Sequence, residues 1–278
     1  VGIDALTLSS ALWLVALGAG TGVVGAMLGL GGGVFLVPLL TLALGVPFRA
    51  AVAASLACVI ATASASATVN LNRGLVNMRL GMVLEVATSV GGLAGGITAA
   101  FLSTRQLFVV FALTLMAMGL VMVMRSGTRN VIADTSVDPG TLGGHLREGD
   151  TVYVYRVRRL GVGLGSSLVA GAISGLLGLG GGIIKVPVLN TFCGVPIRVA
   201  AGTSTFMIGV TAAASAILYF ARGDMMLALT AAVVLGALPG SLLGARLSDR
   251  VQARSLKVLM SIVLLVVGAR MAYEGLWR

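Results

Sequence analysis

Apolar residues in this chain come in long runs separated by short polar punctuation, rather than alternating with polar residues. Eight runs, near 6–28, 50–70, 80–102, 106–124, 159–178, 199–220, 225–245 and 256–274, predict helices of the length that crosses a bilayer core, about 20 residues for roughly 30 Å. Two shorter runs, 34–45 and 183–194, each follow a glycine cluster and contain a proline, Pro38 or Pro187. A helix of that length rises only about 18 Å, so the pattern predicts broken or half-length helices at both. The stretch 125–158 is polar. Its Asp138-Pro139-Gly140 is a turn signal, and 151–157 alternates with period two, which predicts a small β-hairpin.

The chain repeats itself. Residues 28–55, LGLGGGVFLVPLLTLALGVPFRAAVAAS, align without gaps to 177–204, LGLGGGIIKVPVLNTFCGVPIRVAAGTS, at an offset of 149. At the same offset Arg73-Gly74 meets Arg222-Gly223, Gly91 meets Gly240 and Gly95 meets Gly244. Such recurrence marks a duplicated unit. The expected organisation is a first transmembrane repeat over 1–124, a polar insertion over 125–158 and a second repeat over 159–278.

Composition narrows the class. Only 10% of the 278 residues are charged and 58% are hydrophobic, with a mean hydropathy of +1.05. Soluble domains carry roughly 25% charged residues, so a soluble enzyme or regulator is excluded and an all-α polytopic membrane protein is expected. The net charge of +10 fits the lysine and arginine excess of cytoplasmic loops. No basic run is interleaved with aromatics, so nucleic acid is not an expected partner.

Loop charge also orients the copies. If the short glycine-proline segments re-enter, the repeats are parallel; if they cross, the repeats are inverted. Arg73 and Arg79 flank one connection of the first copy, whereas Arg246, Arg250, Arg254 and Lys257 crowd the next connection of the second. Placing 71–79, 125–158 and 246–257 in the cytoplasm puts nearly every basic cluster inside. The sequence therefore predicts two inverted repeats of about five transmembrane segments each, both termini outside and a cytoplasmic insertion. No basic n-region or small-residue cleavage site opens the sequence, so no signal peptide is expected.

Candidate chemistry is sparse. Gly31-Gly32-Gly33 and Gly180-Gly181-Gly182 lack the Lys-Ser/Thr of a phosphate-binding loop. Two readings stand. Small residues let helices pack closely in lipid. Alternatively, the glycines unwind the helix in mid-bilayer and bare amide donors that suit an anion. Lys185, three residues past the second cluster where the first copy has Leu36, is either an intramembrane binding cation or a snorkelling one. Glu85 either carries a coupling proton, neutralises a cation, or reaches the cytoplasmic surface. Arg49 and Arg198 follow Val-Pro-(Phe/Ile) at span entrances, where snorkelling anchors are the default. Most of the hydroxyls on the third helix of each copy are expected to bond their own backbone; Ser55 and Ser204, being equivalent, are the preferred polar contacts. His145 stands apart from cysteine or a second histidine, and Cys58 and Cys193 sit in apolar runs. No metal site, cofactor or catalytic constellation is expected, and the protein is not expected to be an enzyme.

The paired Gly-Leu-Gly-Gly-Gly-x-x-x-Val-Pro motifs at 29–38 and 178–187, each followed by Gly-Val-Pro, resemble the TauE/SafE family of sulfite and organosulfonate permeases. That resemblance implies a secondary transporter of small sulfur-containing anions such as sulfite or sulfoacetate, in the bacterial or archaeal cytoplasmic membrane and most often exporting. An ion gradient (H+ or Na+) would drive alternating access, with the anion held by Gly31–33, Gly180–182, Ser55, Ser204 and Lys185 and with Glu85 as a coupling group. The rival readings are an anion channel of the same fold and a membrane scaffold or sensor acting through 125–158.

Overall fold

The computed structural model describes residues 8–28, 31–124, 138–148, 151–247 and 253–277. Arg250 and residues 125–137 of the polar insertion, on which the charge reading partly rests, lie outside these, as do Gly29 and Leu30 of the first motif and the segment that opens the chain. In order, the elements are α1 (Leu8–Leu28), α2 (Gly33–Pro38) running into a π-helical turn (Leu39–Ala43), α3 (Phe48–Asn72), α4 (Met78–Phe101), α5 (Thr104–Met124), β1 (Gly144–Glu148), β2 (Thr151–Tyr155), α6 (Leu160–Leu177), α7 (Gly182–Thr191), α8 (Ile197–Ala221), α9 (Leu227–Leu247) and α10 (Ala253–Trp277).

Six of the described helices are long and apolar enough to cross a membrane: Ser9–Met27, Phe48–Asn72, Met78–Phe101, Leu160–Leu177, Ile197–Ala221 and Leu227–Leu247. Their outer faces suit lipid. Met82, Val86, Val90, Leu93 and Ile97 of α4 are all exposed, on the side away from the glycines that meet other helices. The protein is a mostly helical, multi-pass membrane protein.

The duplicated sequence produces duplicated local structure. Val46 N donates to Leu40 O at 3.0 Å, as Val195 N does to Leu189 O at 3.0 Å. Pro47 (φ −52°, ψ 136°) and Pro196 (φ −56°, ψ 141°) hold extended backbone at the starts of α3 and α8, where a missing N–H costs nothing. Arg222 Nη1 donates to Gly96 O at 2.7 Å and Arg73 Nη1 to Ala245 O at 3.2 Å, each reaching a late carbonyl of the other copy's fourth helix, where positive charge is favourable.

The two copies exchange partners. Helix α1 packs on α9 and α4 on α6. A Cβ on Gly91 or Gly95 would overlap the carbonyls of Leu168 or Ala172 in α6; one on Gly240 or Gly244 would overlap those of Ala19 or Val23 in α1. These are matching pairs at the repeat offset, so α4 runs alongside α6 in the same direction, as α1 does alongside α9. The central pair is α3 and α8. Helices α5 and α10 are also counterparts and pack against each other antiparallel. Gly119 lies against Leu265, Gly268 against Met116 and Gly275 near Phe108, and Arg105 Nε donates to Gly275 O at 3.0 Å.

The insertion contains the expected hairpin. Strands β1 and β2 pair antiparallel with Glu148 opposite Thr151, and Gly140 N donates to Asp138 Oδ1 at 2.9 Å, an Asx turn. His145 is exposed opposite Val154. Cys58 and Cys193 are buried free thiols.

The α4–α6 seam leaves no room for a side chain at Gly95, so Gly95→Val should destabilise the fold by about 3 kcal/mol. Gly20→Ala, where nothing lies within 4 Å, should change stability by less than about 1 kcal/mol. Thermal unfolding of the detergent-purified protein compares the two.

Candidate functional site

Both triple glycines break the chain. Gly31 and Gly32 have φ of 79° and 73°, and Gly180 and Gly181 have 75° and 68°. Only glycine enters that left-handed region freely, so α1 cannot run on into α2, nor α6 into α7. All six glycines of the two triplets are buried. Neither Gly32 nor Gly181, the residues that precede α2 and α7, offers a side chain to cap the amides that follow.

The first-copy triplet is closed by close packing. A Cβ on Gly33 would overlap the carbonyl of Gly178 and stand 2.6 Å from Ser55 Oγ, while one on Gly31 would press on Val59 and Ile208. Ser55 Oγ donates to Gly178 O at 2.7 Å and Thr62 Oγ1 to Gly31 O at 3.0 Å. Ser55 of one copy thus ties itself to the other copy's motif. Here the glycines do serve packing, as the first sequence reading holds.

The second-copy side is different. Lys185, in the first turn of α7, is 1% exposed and its Nζ stands 4.0 Å from Glu85 Oε2 of α4. It does not snorkel; its charge is enclosed by protein. Glu85 is also buried, though less completely, at 9% exposure. Its Oε1 accepts from Thr211 Oγ1 of α8 at 2.8 Å and from Ser89 Oγ at 3.0 Å. Lys185 Nζ, Glu85 Oε2, Ser204 Oγ and Ser174 Oγ are buried without a hydrogen-bond partner. Ser204 and Thr211 are seven residues apart on α8, hence on one face, and Ser174 lies beside the position a Cβ on Gly181 would take.

The structure thus brings Lys185 to Glu85, and Ser55 to Gly33. Ser204 lies on the helix that carries Thr211 but shows no hydrogen bond to the charged pair. Thr211, Ser89 and Ser174 were not singled out from the sequence. Helical spacing could have found the first two, since Ser89 is one turn beyond Glu85 and Thr211 two turns beyond Ser204. Arg49 is an anchor of another kind. Its Nη2 donates to Leu102 O at 3.1 Å and Ala100 O at 3.3 Å, holding the end of α4. Among the described residues no group of three or more His, Cys, Asp or Glu could hold a metal ion.

The hairpin reaches the start of the helix that carries Glu85. Asn77 caps α4 by accepting from Leu80 N at 3.0 Å, and its Nδ2 donates to Tyr155 Oη at 2.9 Å and Leu142 O at 2.8 Å. Asn77 N donates to Thr203 Oγ1 of α8 at 2.9 Å. Tyr155 packs with Leu80, Leu84, Leu189 and Cys193. Burial pushes its phenol up from the ordinary tyrosine range, with the Asn77 bond opposing.

Comparison with known proteins agrees over nearly the whole chain. The family model described as "Sulfite exporter TauE/SafE" matches residues 14–271. The "Probable membrane transporter protein YunE" of Bacillus subtilis is 26% identical over 271 residues, covering 95% of this chain and 98% of that protein. A "Probable membrane transporter protein" of Xylella fastidiosa is 27% identical over 270 residues, covering 95% of each. No solved structure matches significantly.

Because Asn77 and Tyr155 share a bond, their removal should be non-additive. Asn77→Ala should cost about 1–2 kcal/mol and Tyr155→Phe about 1 kcal/mol, while the double variant should cost less than the sum. Thermal unfolding of the four proteins measures the coupling.

Proposed function

The chain belongs to the sulfite exporter TauE/SafE family, and from that premise we propose that it is a secondary carrier for a small sulfur-containing anion, sulfite or an organosulfonate such as sulfoacetate. The family description names export, and the cytoplasmic membrane of a bacterium or archaeon is the setting this reading takes.

One observation carries the proposal: a lysine side chain wholly enclosed in protein at the start of a short helix, its ammonium without a hydrogen bond. An ammonium in a membrane interior costs several kcal/mol and persists where it serves a ligand or a path. A sulfonate or sulfite oxygen can take the donor directions that Glu85 leaves unfilled. Irregular backbone at membrane depth is tolerated where it is buried or lines a cavity, and interrupted helices at matching places in two halves are where carriers hold their substrates. In this reading the anion lies by Gly180–182 with Lys185, Ser204 and the α7 amides as donors, while Gly31–33 and Ser55 form the packed counterpart across the centre.

The antiparallel packing of α5 on α10 supports inverted repeats. Counterpart helices related by a two-fold axis and running antiparallel place that axis across them, in the plane of the bilayer. With short turns at α3–α4 and α4–α5, and α1 running with α9 rather than against it, α2 and α7 each complete a crossing. Alternating access would then be a rocking of one copy against the other.

Purified full-length protein in liposomes should show saturable counterflow of labelled sulfite or sulfoacetate; ohmic single-channel conductance without counterflow would make it a channel instead. Lys185→Met should weaken anion-induced thermal stabilisation, screened with sulfite, thiosulfate, sulfoacetate and taurine, by tenfold or more in apparent affinity, roughly the value of one charge-assisted contact. Undiminished affinity would remove Lys185 from the site.

A further inference from the structure

The charged pair occupies only one side of a duplicated arrangement. At the repeat offset the counterpart of Lys185 is Leu36 and that of Glu85 is Val234. Thr62, the counterpart of Thr211, donates to Gly31 O rather than to a carboxylate. The first-copy side is therefore aliphatic and closed by backbone bonds, and the second holds one cation and one carboxylate. Glu85 is fixed through Oε1 by Thr211 and Ser89, which leaves Oε2 turned to Lys185. At 4.0 Å the pair is longer than the 2.7–2.9 Å of a charge-assisted hydrogen bond. Both atoms thus keep an unfilled bonding direction within a buried space.

Among the described residues no other charge stands beside the pair. Along α4, α5, α6, α7 and α8 the remaining charged residues are Arg79, Arg105 and Arg198, exposed in the first turns of α4, α5 and α8. The other titratable side chains nearby, Tyr219 of α8, Cys193 just past α7 and Tyr155 of β2, are neutral in their ordinary state.

We infer that substrate and proton share this pair: the anion takes Lys185 while a proton takes Glu85 Oε2, so that one anion and one proton cross together. This rests on the anion-carrier reading above and names its coupling ion. The balance is ammonium plus carboxylate plus anion plus proton giving ammonium–anion plus carboxylic acid. One O–H bond forms on Glu85 as one breaks in a hydronium ion on the side where the anion binds, and nothing is oxidised or reduced. The unloaded pair is neutral. Adding a monovalent anion without the proton buries a net −1, and adding the proton without the anion buries +1. Either excess is heavily penalised where no solvent compensates it. Only the empty and the doubly loaded states are neutral, and these are the states that cross. Net flux is then electroneutral, and monovalent anions (hydrogen sulfite or a monosulfonate) are preferred over doubly charged sulfite. An anion produced inside the cell would leave down its own gradient, taking a proton with it.

The test uses full-length protein in liposomes loaded with a pH-sensitive dye, with labelled methanesulfonate, which has no titratable proton of its own near neutrality, supplied outside. The expected result is internal acidification at one proton per anion and a net rate unchanged by an imposed potassium-diffusion potential. Anion uptake without acidification, or a rate that follows the imposed potential, overturns the inference while leaving the carrier intact; absence of any anion counterflow overturns the carrier reading itself. In Glu85→Gln, a fixed mimic of the protonated acid, anion-induced thermal stabilisation should persist while proton-coupled net uptake falls by about tenfold or more, because Lys185 without the anion is then an uncompensated buried charge. One-for-one acidification retained in Glu85→Gln would also overturn it. Should that variant fail to fold, the stoichiometry and voltage arms on the unmodified protein decide alone.

Discussion

A peptide group inside a bilayer has no water to bond, and this constraint organises the molecule. Long helices satisfy it internally, so most of the chain is helix. The two places where the backbone leaves the helix, at Gly31–Gly32 and Gly180–Gly181, have to be covered by protein. At the first, Gly25 comes against Gly32 and Gly33 against the carbonyl of Gly178; at the second, Gly181 faces the carbonyl of Ala170. Glycines recur also along α1, α4, α6 and α9, where helices of the two copies meet backbone to backbone.

Duplication supplies the frame, and departures from it supply the chemistry. Where the copies agree, as in the Val46 and Val195 turns or the Arg73 and Arg222 bonds, the residues build architecture. They part at Leu36 against Lys185 and at Val234 against Glu85, two positions distant in sequence that the exchange of partners between copies brings face to face. An ion pair in one place and aliphatic side chains at the matching positions of the other copy set the two halves apart.

The helices were legible because hydrocarbon reads length and apolarity, the two properties a linear pattern displays. The run at 199–220 became Ile197–Ala221, and that at 80–102 became Met78–Phe101. The hairpin followed from period-two alternation. Gly31 and Gly181 could be marked as breaks because three glycines before a proline leave few alternatives. The fate of individual polar groups was less legible. Lys185 was read as either snorkelling or binding, since depth along a ten-residue helix (α7, Gly182–Thr191) cannot be judged without knowing what surrounds it. Glu85 needed a helix from the other copy to find its partner. Arg49 read as an interfacial anchor, and only the fold shows it bonded to the end of α4. Asn77, unremarkable in sequence, acquires its role from a hairpin some 65 positions further on.

The exchange of partners also bears on how the protein is made. Helix α1 finds its main seam in α9, and α4 finds its seams in α6 and α8, so the half that leaves the ribosome first cannot bury most of its glycine faces by itself. Until the second half is synthesised, those grooves and the bent backbone beneath them are open to lipid or to whatever insertase attends them. The molecule is completed by interlocking, and neither half is a self-sufficient folding unit, although each carries nearly the same message.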